Sequence, residues 1–253
     1  MNFNKLFLLL LFITSVSCGN LSRVKNEKNT IKSQSKEIAL FDGKSFNGWR
    51  GHNRSDIPAA WSIDGDAIKI NKLIENSKSK RDGGDIIFGK KFNNFTLSFE
   101  WKVSEGANSG VFYLADEIKG ERIWKSGLEY QILDNERHPD AKLGKNNNRQ
   151  SASLYDLIPA NPQNAKPAGK WNAGKITVMH GMVTHSQNGV VVLRYMLWTN
   201  EWKKMIDDSK FKDIQSFINV GGDNKEGYIG LQDHRDDVWF RNIRLRYFVK
   251  SNN

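Results

Sequence analysis

An all-β sandwich or barrel is the fold class this sequence predicts, on three observations. Strand-length runs of alternating apolar and polar residues recur along the chain, most clearly from Phe95 to Val103. Turn-forming residues punctuate them at short spacing, as in Asp64-Gly65-Asp66, Asn188-Gly189 and Gly221-Gly222-Asp223. Helical periodicity is confined to one short stretch, Trp202 to Phe211. Many short strands with almost no helix describe two packed sheets or one closed sheet.

The N-terminus reads as an address. Lys5 precedes the apolar run Leu6 to Ile13, and Thr14-Ser15-Val16-Ser17-Cys18 follows. A basic start, a short apolar core and small residues make a secretory signal peptide over residues 1–18. The run is too short to span a membrane as a helix. Cys18 is the single cysteine, and it stands where a bacterial lipoprotein is cleaved and lipidated, although Ser15 occupies a position that favours Leu. The alternative is an ordinary cleaved signal. Residues 19–37, rich in Lys, Asn and Ser without apolar period, read as a flexible tether. The expectation is a domain over 38–249, held at the membrane only by its N-terminal lipid, in the periplasm or at the cell surface.

With one cysteine the mature domain has no internal disulfide, so its stability comes from a core, and about 215 residues suffice for one. The formal charge of +10 suggests nucleic acid at first sight. Residues 1–37 carry six of the basic and two of the acidic side chains, leaving 32 basic and 26 acidic on the remainder. These are interspersed apart from short clusters such as Lys78, Lys80 and Arg81, so no nucleic-acid partner is expected.

Each element follows from its local pattern. Phe95 to Val103 alternates over its whole length. Gly127 to Asn135 is a second strand, discussed below. Lys175 to Met179 and Val190 to Tyr195 are looser strands, the latter opened by a hairpin turn at Asn188-Gly189. Trp171-Asn172 leads into the former. Val238 to Tyr247 closes the chain as a long strand. Eight tryptophans are spread through the domain. Trp101, flanked by Glu100 and Lys102, belongs to the core; Trp124, in a loop-like stretch, is a candidate sugar-stacking platform.

The strand Gly127-Leu128-Glu129-Tyr130-Gln131-Ile132-Leu133-Asp134-Asn135 carries the chemistry. Leu128, Tyr130 and Ile132 share one face, and Glu129, Gln131 and Leu133 the other. In a straight strand Asp134 falls on the apolar face. A bulge near Leu133 would bring it beside Glu129 and Gln131. Glycosidases use two carboxylates about 5–9 Å apart. A straight strand separates the Glu129 and Asp134 backbones by about 16 Å; a bulge shortens this and side chains can lean together, so direct hydrolysis on that pair is open but not compelled.

Several motifs in order resemble one family: Leu40-Phe41-Asp42-Gly43-Lys44 with Gly48-Trp49, Glu100-Trp101-Lys102, Asn108-Ser109-Gly110-Val111, the Gly127–Asn135 strand, Ser153-Leu154-Tyr155-Asp156-Leu157, Lys166-Pro167-Ala168-Gly169 and Gly230-Leu231-Gln232-Asp233-His234. Over residues 38 to 248 the chain is similar to the 3-keto-disaccharide hydrolase family. That resemblance implies a concanavalin A-like β-sandwich, or jelly roll, and cleavage of glycosides whose sugar carries a ketone at carbon 3. Three departures bear on substrate choice rather than fold. His185-Ser186-Gln187-Asn188-Gly189 stands for the family's His-Trp-Leu-Asn-Gly, Arg235 stands where glycine is common, and Asn53 to Ala60 has the character of an insert.

A 3-keto sugar is open to elimination, because the ketone acidifies the hydrogen on carbon 2. That reaction needs a base, a stabiliser for the enolate and an acid for the leaving group. Glu129, His138 and His234 are the catalytic candidates. Glu129 serves as base or metal ligand, and the histidines as acid or base near neutral pH. Gln131, Asp134, Asn108, Trp124 and Gln232 are the candidates for holding an oxidised carbohydrate. Asp134 could instead only turn the chain, and Asp233 could face away as a structural residue. His180 and His185 read as hairpin residues. A divalent cation, calcium or another, would stabilise the enolate, although no Asp/Asn loop has the spacing of a dedicated calcium site. Two other functions fit the same sandwich: a lectin-like module without catalysis, and a conventional endo-glucanase.

Overall fold

The computed structural model describes residues 34–72 and 81–249. The signal peptide with Cys18, the tether as far as residue 33, and Lys78 and Lys80 lie outside the described residues. The elements in order are β1 (Gln34–Ala39), β2 (Trp49–Gly51), β3 (Trp61–Asp64), β4 (Ala67–Ile70), β5 (Ile86–Phe88), β6 (Phe95–Val103), β7 (Asn108–Ala115), β8 (Leu128–Leu133), β9 (Asn172–Met179), β10 (Met182–Gln187), β11 (Val190–Met196), α1 (Asn200–Asp207), α2 (Gln215–Ile218), β12 (Tyr228–Leu231) and β13 (Val238–Val249).

The strands form two antiparallel sheets. One has the order β11-β10-β9-β6-β13-β4-β3, with β1 also paired to β13; the other has the order β2-β5-β12-β7-β8. The sheets pack face to face, as the jelly-roll expectation requires. Tyr130 on β8 stacks edge-on against Phe99 on β6 and donates its hydroxyl to the carbonyl of Ser186 on β10. Strict alternation makes β6 the spine of the core. Phe95, Leu97, Phe99, Trp101 and Val103 are buried, and the residues between them are half-exposed. Each such side chain contributes about 1.5–3 kcal/mol by leaving water.

The second sheet differs, because β7 and β8 are buried at every position. Their inward faces join the core, and their outward faces are roofed by loops. That second, covered face is what the site needs.

The hairpin β10–β11 turns on Asn188 (φ 48°) and Gly189 (φ 82°), the two positive-φ positions the dipeptide was expected to fill. Two boundaries move. The domain begins before residue 38, because Gln34 to Ala39 pair with Arg244 to Val249. Its residues 35–37 are exposed, so no apolar period marked the strand; the ladder from β13 and a Glu37–Arg246 ion pair hold it. The helix runs from Asn200 to Asp207 rather than Trp202 to Phe211. Thr199 caps its start by accepting from the amide of Trp202, and Phe211 instead stacks on Phe217.

His185 sits on the β10 strand of that hairpin, as expected, and is also a core residue. Its ring is fully buried between the sheets. Nδ1 lies 2.9 Å from the carbonyl of Ala152 and must donate to it. Nε2 therefore accepts from the Tyr113 hydroxyl at 2.8 Å, and Tyr113 in turn lies 2.5 Å from the Tyr195 hydroxyl. Both nitrogens are committed in the neutral form, and burial pushes the imidazole down to about 4. The unfolded chain binds this proton at about pH 6.5. The contribution of His185 is thus complete above pH 6.5 and is lost as pH falls towards 4, by roughly 3 kcal/mol. Urea titrations at pH 7 and pH 4.5 should show a loss of stability in the natural chain that His185→Gln lacks.

Candidate active site

The outward face of β7 and β8 is the floor of a cleft of about 330 Å³. Leu128, Tyr130 and Ile132 enter the core, so Glu129 and Gln131 face the cleft, as the alternation predicted. Asn108 on β7 and Gln232, just past β12, complete the polar floor. The walls come from distant loops: Asp85 before β5, Arg122 and Trp124 at the 3-10 turn Ile123–Lys125, Leu154 and Tyr155, Lys210 and Phe211 after α1, Phe217 on α2, and His234.

Glu129 is only 7% exposed. A Cβ at Gly110 would fall far inside van der Waals contact of its carboxylate, so only glycine leaves room for Glu129 on this face. Burial is the main force pushing the Glu129 carboxyl up to about 8. The charges of Asp85 and Asp140 add to it, and Lys210 and the Gln232 amide oppose it. Asp85 is likewise pushed up by burial, to about 6, although it accepts the Asp233 amide at 2.9 Å. Burial lowers the pKa of Lys210, whose ammonium sits 3.4 Å from Asp156 and 4.1 Å from the centre of the Tyr155 ring. Behind this wall Arg149 bridges Asp140 at 2.7 Å and Asp156 at 2.5 Å, and Tyr155 donates to Asp140.

Three amides on the floor are left with an unpartnered buried atom: Asn108 Oδ1, Gln131 Nε2 and Gln232 Oε1 have no protein hydrogen bond among the described residues. The Gln131 orientation is fixed, because its Oε1 accepts from the amide of Ile132 at 3.1 Å and leaves the donor end over. A buried polar group without a partner costs about 1–3 kcal/mol, so three around one carboxylate mark a surface built for a hydroxylated ligand.

The structure thus gathers Glu129, Gln131, Asn108, Trp124, Gln232 and His234 in one cleft, and does not bring Asp134 there. The β7–β8 register runs unbroken from Asn108↔Leu133 to Tyr113↔Leu128, so the bulge that Asp134 needed is absent from this ladder. Asp134 is instead consumed by a turn. It accepts from the amides of Gly106 at 2.8 Å, Glu136 at 3.1 Å and Arg137 at 3.4 Å. Its place as a sugar ligand is corrected to a structural one. Asp233 both lines the cleft and is structural, gripped by Arg81 through both carboxylate oxygens.

His138 stands behind His234, with ring centres 5.8 Å apart. With Asp236 they form a group whose ligand atoms lie within 4.8 Å of one another. Two imidazoles and one carboxylate suit a divalent transition metal, and the spacing needs only modest contraction. Two bonds work against it: His138 Nδ1 accepts the Asp140 amide at 3.1 Å, and Asp236 accepts the Asn108 amide at 3.0 Å. The three side chains are thus candidate cation ligands already partly committed to the protein's own amides. Sequence reasoning missed Asp85, Tyr155, Lys210 and Asp236. Tyr155 sat in a noted motif without a role; Asp85 and Lys210 sit beside ordinary turn signals.

The raised Glu129 carboxyl has a cost in stability. The folded protein keeps a proton that the unfolded chain releases at about pH 4.5. The cost is absent below pH 4.5 and grows to roughly 3–5 kcal/mol as pH rises through 8. Glu129→Gln should therefore raise the thermal midpoint at pH 8.5 and leave it nearly unchanged at pH 4.5.

Comparison with known proteins shows the family and the fold. Residues 36–246 match the family described as the 3-keto-alpha-glucoside-1,2-lyase-like domain. The 3-keto-disaccharide hydrolase of Bacteroides thetaiotaomicron is 53% identical over 224 residues, covering 83% of this chain and 77% of that protein. Among solved structures, a Parabacteroides distasonis protein classed with the glycosyl hydrolases superposes with a TM-score of 0.70 at 23% identity, over 83% of this chain and 92% of its own. Another from the same organism gives 0.57 at 26%, over 83% of each chain. The family match and the 53% identity agree, and the chain belongs to the 3-keto-alpha-glucoside-1,2-lyase-like domain family.

Proposed function

We infer that this chain is an enzyme that cleaves glycosides oxidised to a ketone at carbon 3, by elimination followed by hydration. The observation that carries the reading is the buried Glu129, its proton affinity near neutrality, ringed by three amides that lack protein partners. The identity to a 3-keto-disaccharide hydrolase supports it.

The chemistry follows from the groups present. The ionised Glu129 takes the hydrogen from carbon 2, and the electron pair moves to the carbon 3 oxygen as an enolate. Collapse of the enolate forms the bond between carbons 1 and 2 as a double bond, expelling the alkoxide at carbon 1, which is protonated. Water then adds at carbon 1 and a proton returns to carbon 2, so the net change is hydrolysis. A carboxylate titrating near 8 is a stronger base than an exposed one, and it remains partly ionised at neutral pH. Lys210 and Arg122 supply positive charge at the cleft wall, where the enolate develops. The floor amides orient hydroxyls, and Trp124 offers an apolar face to the ring. A divalent cation held by His138, His234 and Asp236 would polarise the ketone.

Direct hydrolysis is the second reading. It rests on the split between Glu129, near 8, and Asp85, near 6, the pattern of an acid and a base sharing a site. With a 3-keto-glucoside in deuterated water, elimination places deuterium at carbon 2 of the product; its absence selects hydrolysis. Glu129→Gln should lower kcat by roughly 10²–10⁴-fold. If Glu129 is the base, kcat/KM should climb with pH and level off above about 8; a falling limb there would make it the acid. Undiminished turnover by the variant would refute the site.

The cation is tested separately. Metal analysis of the purified protein, and melting with and without manganese or zinc, should show binding that Asp236→Ala abolishes. An equal response from both proteins would remove the cation from the reading.

A further inference from the structure

A second compartment of about 600 Å³ adjoins the cleft. Asp85, Arg122 and Asp233 line both, so they form the boundary between them. Beyond it lie Arg81, Arg235, His52 and Asn53.

The charges there are unequally committed. Arg81 is spent on Asp233, whose side chain is 3% exposed, and the amide of Gly84 holds the same carboxylate. Gly83 lets this ion pair lie against the backbone, since a Cβ there would strike both partners. Glu121 is spent on Lys125. Among the described residues, neither Arg122 nor Arg235 has a carboxylate within ion-pair distance. Arg235 is also held at φ 74°, a conformation glycine adopts freely and arginine adopts at about 1–2 kcal/mol. Its amide is pinned to Asp233 Oδ1 at 2.9 Å, so one carboxylate sets both the Arg81 pair and the Arg235 turn. Arg122 and Arg235 thus both line this compartment without an acidic partner among the described residues to neutralise them.

We propose that this compartment receives the leaving group of the substrate and that Arg122 and Arg235 select leaving groups bearing an anion, of the carboxylate class. A guanidinium pairs with a carboxylate through two parallel hydrogen bonds, which favours it over a neutral group of the same shape. The proposal rests on reading the first cleft as the sugar site, and it deepens that reading by naming the class of the other half of the substrate.

The test compares 3-keto-glucosides of 4-carboxyphenol and 4-carbamoylphenol, alike in size and differing in charge. The natural chain should show kcat/KM about tenfold higher for the carboxylate. Arg235→Gln and Arg122→Gln should each bring the ratio towards one. A ratio near one in the natural chain, or a ratio unchanged in both variants, overturns the proposal. Calorimetry with the unoxidised 4-carboxyphenyl and 4-carbamoylphenyl glucosides gives a readout without turnover. Tighter carboxylate binding that Arg235→Gln removes supports the anion compartment even if neither ketone is cleaved, an outcome that would instead refute the proposed reaction. Equal binding of the two, or none, overturns the compartment whatever the enzyme turns over.

Discussion

A carboxylic acid kept out of water on the face of a sheet is the constraint on which the site depends. Moving an ionised carboxylate from water into such a place is costly, so the group holds its proton until well above the usual range. Gly110 makes the room, and Asp85 and Asp140 add charge that sustains the effect. Lys210 keeps the penalty from becoming prohibitive. A more exposed Glu129 would be an ordinary acid, ionised and weakly basic. The same burial leaves the floor amides unpartnered, because their neighbours are a carboxyl and a sheet with its own bonds already made.

Floor and walls divide the labour. The floor sits on the β7–β8 ladder, whose unbroken register fixes Glu129, Gln131 and Asn108 relative to one another. The walls are loops stapled from behind: Arg149 between Asp140 and Asp156, Arg81 on Asp233, and the Ala152 carbonyl on His185. Each staple is a charged or buried polar contact rather than packing alone. The positions of Tyr155, Lys210 and Asp85 therefore rest on electrostatics, while that of Glu129 rests on backbone geometry.

Much of the fold was legible because strand faces write themselves into alternation. Phe95 to Val103 and the Asn188-Gly189 turn are local signals, and the structure keeps both. β1 was hidden because its residues are nearly all exposed, and only pairing with a strand two hundred positions away defines it. The floor was legible for the same reason as β6, since Glu129 and Gln131 share a face by period alone. Asp134 misled because an acidic residue at a strand end reads alike whether it bulges into a site or caps a turn. Lys210, Asp85 and Asp236 could not be read, because their proximity to Glu129 or His234 is a property of loop closure. The hairpin place of His185 was legible but its burial was not, because a histidine in a hairpin gives no sign that Tyr113 and Tyr195 will enclose it.

The cleft draws on segments running from Asp85 to His234, with its floor on β7 and β8 and a wall from the loop after α1. No stretch of chain shorter than about two thirds of the domain contains it. Contacts this distant in sequence are slow to form, because every intervening loop must close before any of them is rewarded. The dehydrated carboxyl therefore exists only where the loops roof β7 and β8. A half-folded or nicked chain would expose Glu129 to water as a plain acid, chemically silent. Loss of catalysis and loss of the native fold should then coincide, and the reactive group never exists apart from the structure that directs it.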